Sequence, residues 1–429
     1  MTTLAWVCQA IMLVSGAYGL YHCLIALPVV GGLRPPAQLT HRIHRFAVLV
    51  FAKDEAAVIE PLLASLRRQE YPADAFEIFV TADNCTDDTA ALSRAAGATV
   101  WERHDTEKIG KGFALTWFFD RFTKQEADKF DACVMFDADN LADPGFLAAM
   151  NRQLNAGVPV AVGYRMGKNP TSSWVAGTSS LFWLLQTRLF HLPRARRGLP
   201  VTTVGGTGWM FSLDTLGPDG WHTSSVCEDI EFTLNAIADG RHVGLAMDAM
   251  FYDEQPLTFA QSMKQRYRWS LGSVQVLGLI GPKLVKAVRQ DWRRTLDALL
   301  FSIGIPIAGA SAIIGVIGMV ATGVSTGLWQ LLIGGLLVGA VVSYVAVTLV
   351  AAWVLKLEHA HWPGAWQAAL AFPIYVFSWS LLNVLVLFYR NPVWKTIPHV
   401  EAVEIDQLQA PELSKAPEPA PIPLQRPAS

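Results

Sequence analysis

The chain has 429 residues, of which 52% are hydrophobic and only 16% charged, against roughly 25% charged in a soluble domain. The deficit is concentrated in a few stretches, which points to membrane spans and not to an unusually greasy globular core. A formal net charge of −2 leaves no electrostatic footprint for nucleic acid. Five scattered cysteines (Cys8, Cys23, Cys85, Cys133, Cys227) without a Cys-x-x-Cys pair indicate neither a zinc site nor a disulfide framework.

Residues 4–30 contain no Lys, Arg, Asp or Glu, and about 20 apolar residues suffice to cross a bilayer as a helix. A cleaved signal peptide is the alternative, but no positive charge precedes the run. Arg34, Arg42 and Arg45 follow it, so the positive-inside rule puts the N-terminus outside and residue 34 onward in the cytosol. Residues 1–33 are therefore expected to be an anchor.

From 46 to 165 the pattern alternates between strand and helix. Phe46–Phe51, Phe76–Val80, Thr99–Trp101, Ala132–Phe136 and Val160–Val162 read as extended, whereas Val58–Arg68, Thr89–Ala96 and Lys111–Phe122 read as helical. Such alternation predicts a parallel sheet wrapped by helices, within a domain spanning 34–256. Three strand ends carry polar groups: Lys53-Asp54-Glu55, Asp83 to Asp88, and Asp137-Ala138-Asp139. Carboxyl ends of strands are where open α/β sheets bind ligands. Two acids one residue apart repel unless a cation sits between them, and hard divalent cations prefer oxygen ligands. Asp137 and Asp139 are thus candidate Mg²⁺ or Mn²⁺ ligands, or else turn and cap residues before a helix starting near Asp143-Pro144. Gly205-Gly206-Thr207-Gly208 would let backbone approach a ligand, or is an ordinary tight turn. Glu228-Asp229 opens a helix Ile230–Ala238, either complementing its dipole or supplying a general base.

Residues 257–296 mix cations and aromatics, notably Gln265-Arg266-Tyr267-Arg268-Trp269 and then Lys283, Lys286, Arg289, Arg293 and Arg294. They are expected to form amphipathic interfacial helices, the second cluster being alternatively a solvated basic face. Apolar stretches at about 298–323, 328–355 and 365–389, within 297–390, are each long enough to span. Counting these with the N-terminal anchor puts the C-terminal tail outside, against which Arg390 and Lys395 argue mildly. The Pro-, Ala- and Glu-rich segment within 391–429 is expected to be disordered.

Together these pieces resemble the membrane-bound family 2 glycosyltransferases, which include cellulose, chitin, hyaluronan and poly-N-acetylglucosamine synthases. The resemblance rests on six motifs in family order: Ala52-Lys53-Asp54-Glu55, Asp83-Asn84-Cys85-Thr86-Asp87-Asp88, Gly110-Lys111-Gly112-Phe113-Ala114-Leu115, Asp137-Ala138-Asp139, Glu228-Asp229, and Gln265 to Trp269. It implies a GT-A (Rossmann-like) cytosolic α/β domain, flanked by transmembrane helices in a bacterial inner or plasma membrane. It also implies roles. Glu55, Asp83, Lys111, Asp137, Gln265, Arg268 and Trp269 would bind the UDP-sugar. Asp137 and Asp139 would hold Mg²⁺ or Mn²⁺. Asp229, with Glu228, would be catalytic. Gly206, Thr207, Gly208 and Trp269 would face the acceptor. The chain departs from the family pattern at Cys227, where Thr is usual, within Gly205–Phe211, and at Asp253-Glu254-Gln255-Pro256.

The expected activity is inverting, metal-dependent transfer from a UDP-sugar to a growing β-linked polysaccharide that is threaded through the protein's own spans. An accessory export subunit, membrane lipids and no nucleic acid complete the expected partners. The close rival is transfer of one sugar to a lipid or lipid-linked acceptor. A reading of a different class is a non-catalytic, nucleotide-binding membrane scaffold.

Overall fold

The computed structural model describes residues 2–27, 31–217, 220–389, 403 and 405–408. Most of the expected tail, with Arg390, Lys395 and the Pro-rich segment, lies outside the described residues. Within it, a short turn at Ile405–Gln407 brings Asp406 to 2.7 Å from Arg68.

One eight-stranded sheet organises the chain, in the order β3-β2-β1-β4-β7-β6-β8-β5. Strands β1 (Phe46–Ala52), β2 (Phe76–Asp83), β3 (Thr99–Arg103) and β4 (Ala132–Asp137) form a parallel half. The other half is mixed. β7 (Trp209–Ser212) runs antiparallel to both β4 and β6 (Val160–Gly167), whereas β8 (Val243–Asp253) runs parallel to β6. The short β5 (Leu141–Ala142) lies antiparallel to β8 at the edge. The wholly parallel sheet expected from the alternation therefore holds only as far as β4. An antiparallel β7 is wedged between β4 and β6, and this pairing joins residues too far apart in sequence to leave a local pattern.

Alternation along β1 shows why the sheet is covered on both faces. Val48 and Val50 face a layer containing Leu62, Leu66, Phe146 and Met150. Ala47 and Leu49 face the opposite layer, with Phe118, Phe122, Trp209, Phe232 and Ile237. Helices Ile59–Arg67 and Phe146–Asn155 supply the first layer; Lys111–Gln125, Glu228–Ala238 and Phe259–Ala287 supply the second.

Among the described residues, four helices are long and apolar enough to cross a membrane: Thr3–Ala26, Gly304–Thr326, Trp329–Leu357 and Ala365–Phe388. The stretch expected to span from 298 is divided, because Trp292–Ser302 forms a separate helix with Asp297 buried inside the protein. The N-terminal helix packs on Gly304–Thr326, which packs on Ala365–Phe388, which packs on Trp329–Leu357. Among the described residues the four thus stand mainly as a row.

Buried charge ties this row to the sheet domain. Arg194 and Asp297, each 1% exposed, meet at 2.9 Å, and Tyr21 of the N-terminal helix donates to Asp297 at 2.7 Å. Beyond the Trp329–Leu357 helix, Glu358 accepts from Arg188 and from Tyr164 of β6. The segment expected to lie in the headgroup plane is similarly engaged. Arg266 is fully buried, its Cζ 3.9 Å from the Tyr375 ring centroid. Lys283 reaches Asn235 and Asp239 at 2.8 and 2.9 Å.

Removing one partner of a buried ion pair strands the other charge, at about 3–5 kcal/mol. Asp297→Ala should therefore lower the melting temperature of the detergent-solubilised protein by many degrees, and Asp297→Asn by less. An unshifted melting curve for the alanine variant would show that the Arg194–Asp297 contact is dispensable.

Candidate active site

The site forms where the parallel half of the sheet ends. β1, β2 and β4 deliver their last residues to one edge, since their registers pair Ala52 with Ala82 and Phe51 with Asp137. Two loop residues immediately beyond β1 and β2, Asp54 and Asn84, have positive φ angles of 55° and 53°. That conformation is uncommon for residues other than glycine, and such strain clusters at functional loops.

The β2 end is built on a buried pair. Arg103 meets Asp83 at 2.6 Å with side-chain exposures of 2% and 8%. Burial raises the Asp83 carboxyl above the ordinary value, and Arg103 opposes it. Asn84 also donates to Asp83 at 3.0 Å. The Glu55 backbone N–H donates to Thr89 Oγ1 at 2.9 Å, which sets the turn after β1. Asp54, Cys85 and Asp87 converge within 4.8 Å of one another. Their oxygens, however, are spent on local turns. Asp54 accepts from Thr86 and Lys53, and Asp87 from Ala56 and Thr89. Such a set holds the loops together.

At the end of β4, Lys111 is the centre of charge. It opens the helix Lys111–Gln125 directly after Gly110, whose φ of 125° suits glycine. Its Nζ donates to Asp137 Oδ1 and, at 3.1 Å, to the Gly206 carbonyl, and lies 3.8 Å from Glu228 Oε1. Burial alone would lower the Lys111 pKa, but Asp137 and Glu228 reverse this and hold it above the ordinary value. Burial raises both Glu228 and Asp229. Lys111 opposes the shift at each, and Asp229 adds to it at Glu228. Asp229 borders the glycine loop: a Cβ placed on Gly206 would lie 3.9 Å from its Oδ2. Asp137, Lys111, Gly206, Glu228 and Asp229 thus share one cleft.

Asp139 is 4% exposed. Its Oδ1 accepts from Asn140 at 3.1 Å and its carbonyl from Lys168 at 2.9 Å. An all-oxygen pair at a strand end fits a hard cation such as Mg²⁺ or Mn²⁺, and Lys111 shows that positive charge is at home beside Asp137. Thr207 is buried: its Oγ1 accepts the Asp137 N–H at 2.9 Å and its hydroxyl donates to Asn140. Gly208 has a φ of 64°, and a Cβ there would lie 2.2 Å from the Phe251 ring. Of the expected acceptor-side residues in this loop, Gly206 borders Asp229, whereas Thr207 and Gly208 set the loop's position.

Spacing of three and four residues puts Gln265, Arg268 and Trp269 on one face of the helix Phe259–Ala287. Gly272, one turn on, is pressed to Cys227, whose Sγ would lie 2.3 Å from an added Cβ. The face therefore meets the chain just before Glu228-Asp229. Arg268 is exposed, and its charge favours ionised Glu228. Trp269 lies with Phe182, Trp183 and Trp379 at centroid separations of 6.2, 5.5 and 5.9 Å. Trp379 belongs to the membrane-crossing-length helix Ala365–Phe388, so this aromatic wall runs from the cleft to the row of long apolar helices. Sequence reasoning missed Arg165 and Trp183, which stand in stretches with no motif of their own, and gave no role to Asn140, which directly follows the Asp137-Ala138-Asp139 triplet.

A family model described as "Glycosyltransferase like family 2" matches residues 44–272. The chain is 26% identical over 250 residues to the probable glycosyltransferase YdaM of Bacillus subtilis, covering 54% of this chain and 56% of that protein. It is also 26% identical over 291 residues to a beta-monoglucosyldiacylglycerol synthase of Nostoc, covering 62% and 57%. The chain therefore spans a little over half the length of these curated relatives. Among solved structures, a mannosyltransferase of Pyrobaculum calidifontis, determined with GDP-Man and Mn²⁺, superimposes with a TM-score of 0.59 at 17% identity, covering 89% of this chain and 99% of that one. That likeness is one of fold. With the family model spanning more than half of the residues, the chain belongs to glycosyltransferase family 2.

Proposed function

We propose that the protein transfers a single sugar, with inversion, from a nucleoside-diphosphate sugar to the hydroxyl of a membrane lipid. UDP is the expected nucleotide, and the α/β domain faces the cytosol. The observation carrying the reading is the Lys111 cluster, which places one ammonium between the strand-end acid Asp137 and the acid pair Glu228-Asp229. Asp229, its pKa raised by burial, suits removal of the acceptor hydroxyl proton. The freed oxygen attacks the anomeric carbon from the face opposite the leaving diphosphate. A bond forms to the acceptor as the bond to the diphosphate breaks, so an α-linked donor yields a β-linked product. Negative charge then builds on the diphosphate, where Lys111 and Arg268 can meet it. Asp137 and Asp139 would hold a divalent cation, which supplies further neutralisation of that charge when bound. Gln265 and Trp269 would complete the donor side, with Asp83 and Glu55 at the nucleoside end.

A lipid acceptor is favoured over a threaded polymer by the arrangement of the long helices. The row brings Trp379 alongside Trp269 at the cleft, so that an acceptor held among the long helices would present its hydroxyl there. A relative named for diacylglycerol glucosylation supports the same choice. Incubation with UDP- or GDP-sugars, Mn²⁺ and mixed lipids should yield one lipid-extractable product, with nucleotide release equal to product. A saccharide ladder would restore the polymer reading, and absence of nucleotide release with every donor would favour the scaffold.

Asp229→Asn should bind UDP as the parent does but transfer about 10²–10⁴-fold more slowly. Near-parental turnover would remove Asp229 from this role. Because burial raises the folded pKa of Asp229, its ionisation opposes folding. Stability from this group is present at low pH and is lost as pH rises through the interval between the unfolded and folded values. The asparagine variant should therefore be at least as stable as the parent near neutral pH, as thermal unfolding would show.

The same shift sets the pH dependence of rate. The base works ionised, so the acid limb of kcat/KM should fall above the ordinary aspartate range. Replacing Lys111 by Met removes an opposing cation and should move the limb to still higher pH. A limb that stays in place in Lys111→Met would disprove the coupling.

A further inference from the structure

We propose that Asp253, the last residue of β8, is the positioning residue that locks the Asp137–Asp139 triplet and the glycine loop to one another. Its carboxylate reaches each through one intermediate side chain, Asn140 for the triplet and Arg165 for the loop. Oδ1 accepts from Asn140 Nδ2 at 2.9 Å; Oδ2 accepts from Gln255 Nε2 at 3.0 Å and from Arg165 Nη1 at 3.4 Å. Asn140 carries one arm. The same amide nitrogen donates to Asp139 Oδ1 at 3.1 Å, while its oxygen accepts from Thr207, whose Oγ1 accepts the Asp137 N–H. Arg165 carries the other arm. It donates to the carbonyls of Gly205 and Thr207, the two residues flanking Gly206 beside Asp229.

The next residue repeats the arrangement. Glu254 meets Lys168 at 3.0 Å with exposures of 4% and 2%, and Lys168 holds the Asp139 carbonyl. Arg165 is only 8% exposed, with Cζ 3.8 Å from the Trp183 centroid. A guanidinium so enclosed needs a counter-charge within reach, and Asp253 provides it. One carboxylate therefore fixes where the triplet stands relative to the loop that borders the base. A Asp-Glu-Gln-Pro segment that departs from the family pattern becomes the joint between the two halves of the site.

This inference rests on the reading of Asp137 and Asp139 as metal ligands, and the test separates the two. Mn²⁺ binding to the full-length, detergent-purified chain with UDP present is followed by electron paramagnetic resonance, beside steady-state kinetics. Asp253→Ala removes both arms and should weaken Mn²⁺ binding about tenfold to a hundredfold, the usual effect of losing a group that orients a ligand. Asp253→Asn keeps an acceptor for Asn140 but turns a donor toward Arg165. It should bind Mn²⁺ within about threefold of the parent while kcat falls at least about tenfold and donor KM changes little. If the alanine variant does not fold, the asparagine variant carries the test. Folded variants with parental Mn²⁺ affinity and parental kcat would overturn the positioning role and leave the metal site standing. A parent that binds no Mn²⁺ would overturn both.

Discussion

The arrangement depends on mutual repulsion held in check. Asp137 reaches the cleft from the end of β4 and Glu228 and Asp229 from the start of one helix, and burial penalises the negative charge of that pair. One ammonium, Lys111, stands among them and is kept protonated by the acids it serves. A site for a diphosphate must concentrate positive charge without collapsing in its absence. In the proposed role Lys111 supplies that charge from a fixed place, because it sits at the first turn of a helix anchored by Phe118, Phe119 and Phe122 in the core. The opposite wall is the helix face carrying Gln265, Arg268 and Trp269, where Gly272 admits Cys227 and so brings Arg268 near Glu228.

Much of the first half of the sheet was legible in the sequence, for a local reason. β1, β2 and β4 are short apolar runs that end abruptly in acids, and the end of a buried strand is where such residues accumulate. The helices between them carry their own periodicity. β7 and β8 were not legible. Trp209–Ser212 is only four residues long, and its place between β4 and β6 is decided by partners that both lie more than 45 residues earlier in the chain. The helix Trp174–Leu185 was missed too, because it is apolar on most sides and shows little contrast between faces.

The same distinction applies at the site. Asp137, Lys111 and Asp229 were found because their neighbours in sequence form motifs. Arg165 and Trp183 act across distance and have no such neighbours. Arg266 is the instructive error of environment. In sequence it is one cation among several in an aromatic-rich stretch, suited to a headgroup layer. In the fold it is sealed against Tyr375 and donates to that residue's carbonyl at 2.6 Å. Only the facing helix, about 110 positions later, decides which cation in a cluster turns inward.

The Trp329–Leu357 helix has 29 residues, and so is about 44 Å long at about 1.5 Å per residue. A hydrocarbon layer is about 30 Å thick, and a longer apolar helix accommodates it by leaning. The residue just past this helix, Glu358, is gripped by Arg188 and by Tyr164, and Tyr164 immediately precedes Arg165 in β6. A thinner or thicker bilayer would change the lean, and the strain would arrive one peptide unit from the guanidinium that steadies the glycine loop. In a bilayer that this helix crossed, lipid thickness would thereby bear on the proposed site through the Glu358 contacts.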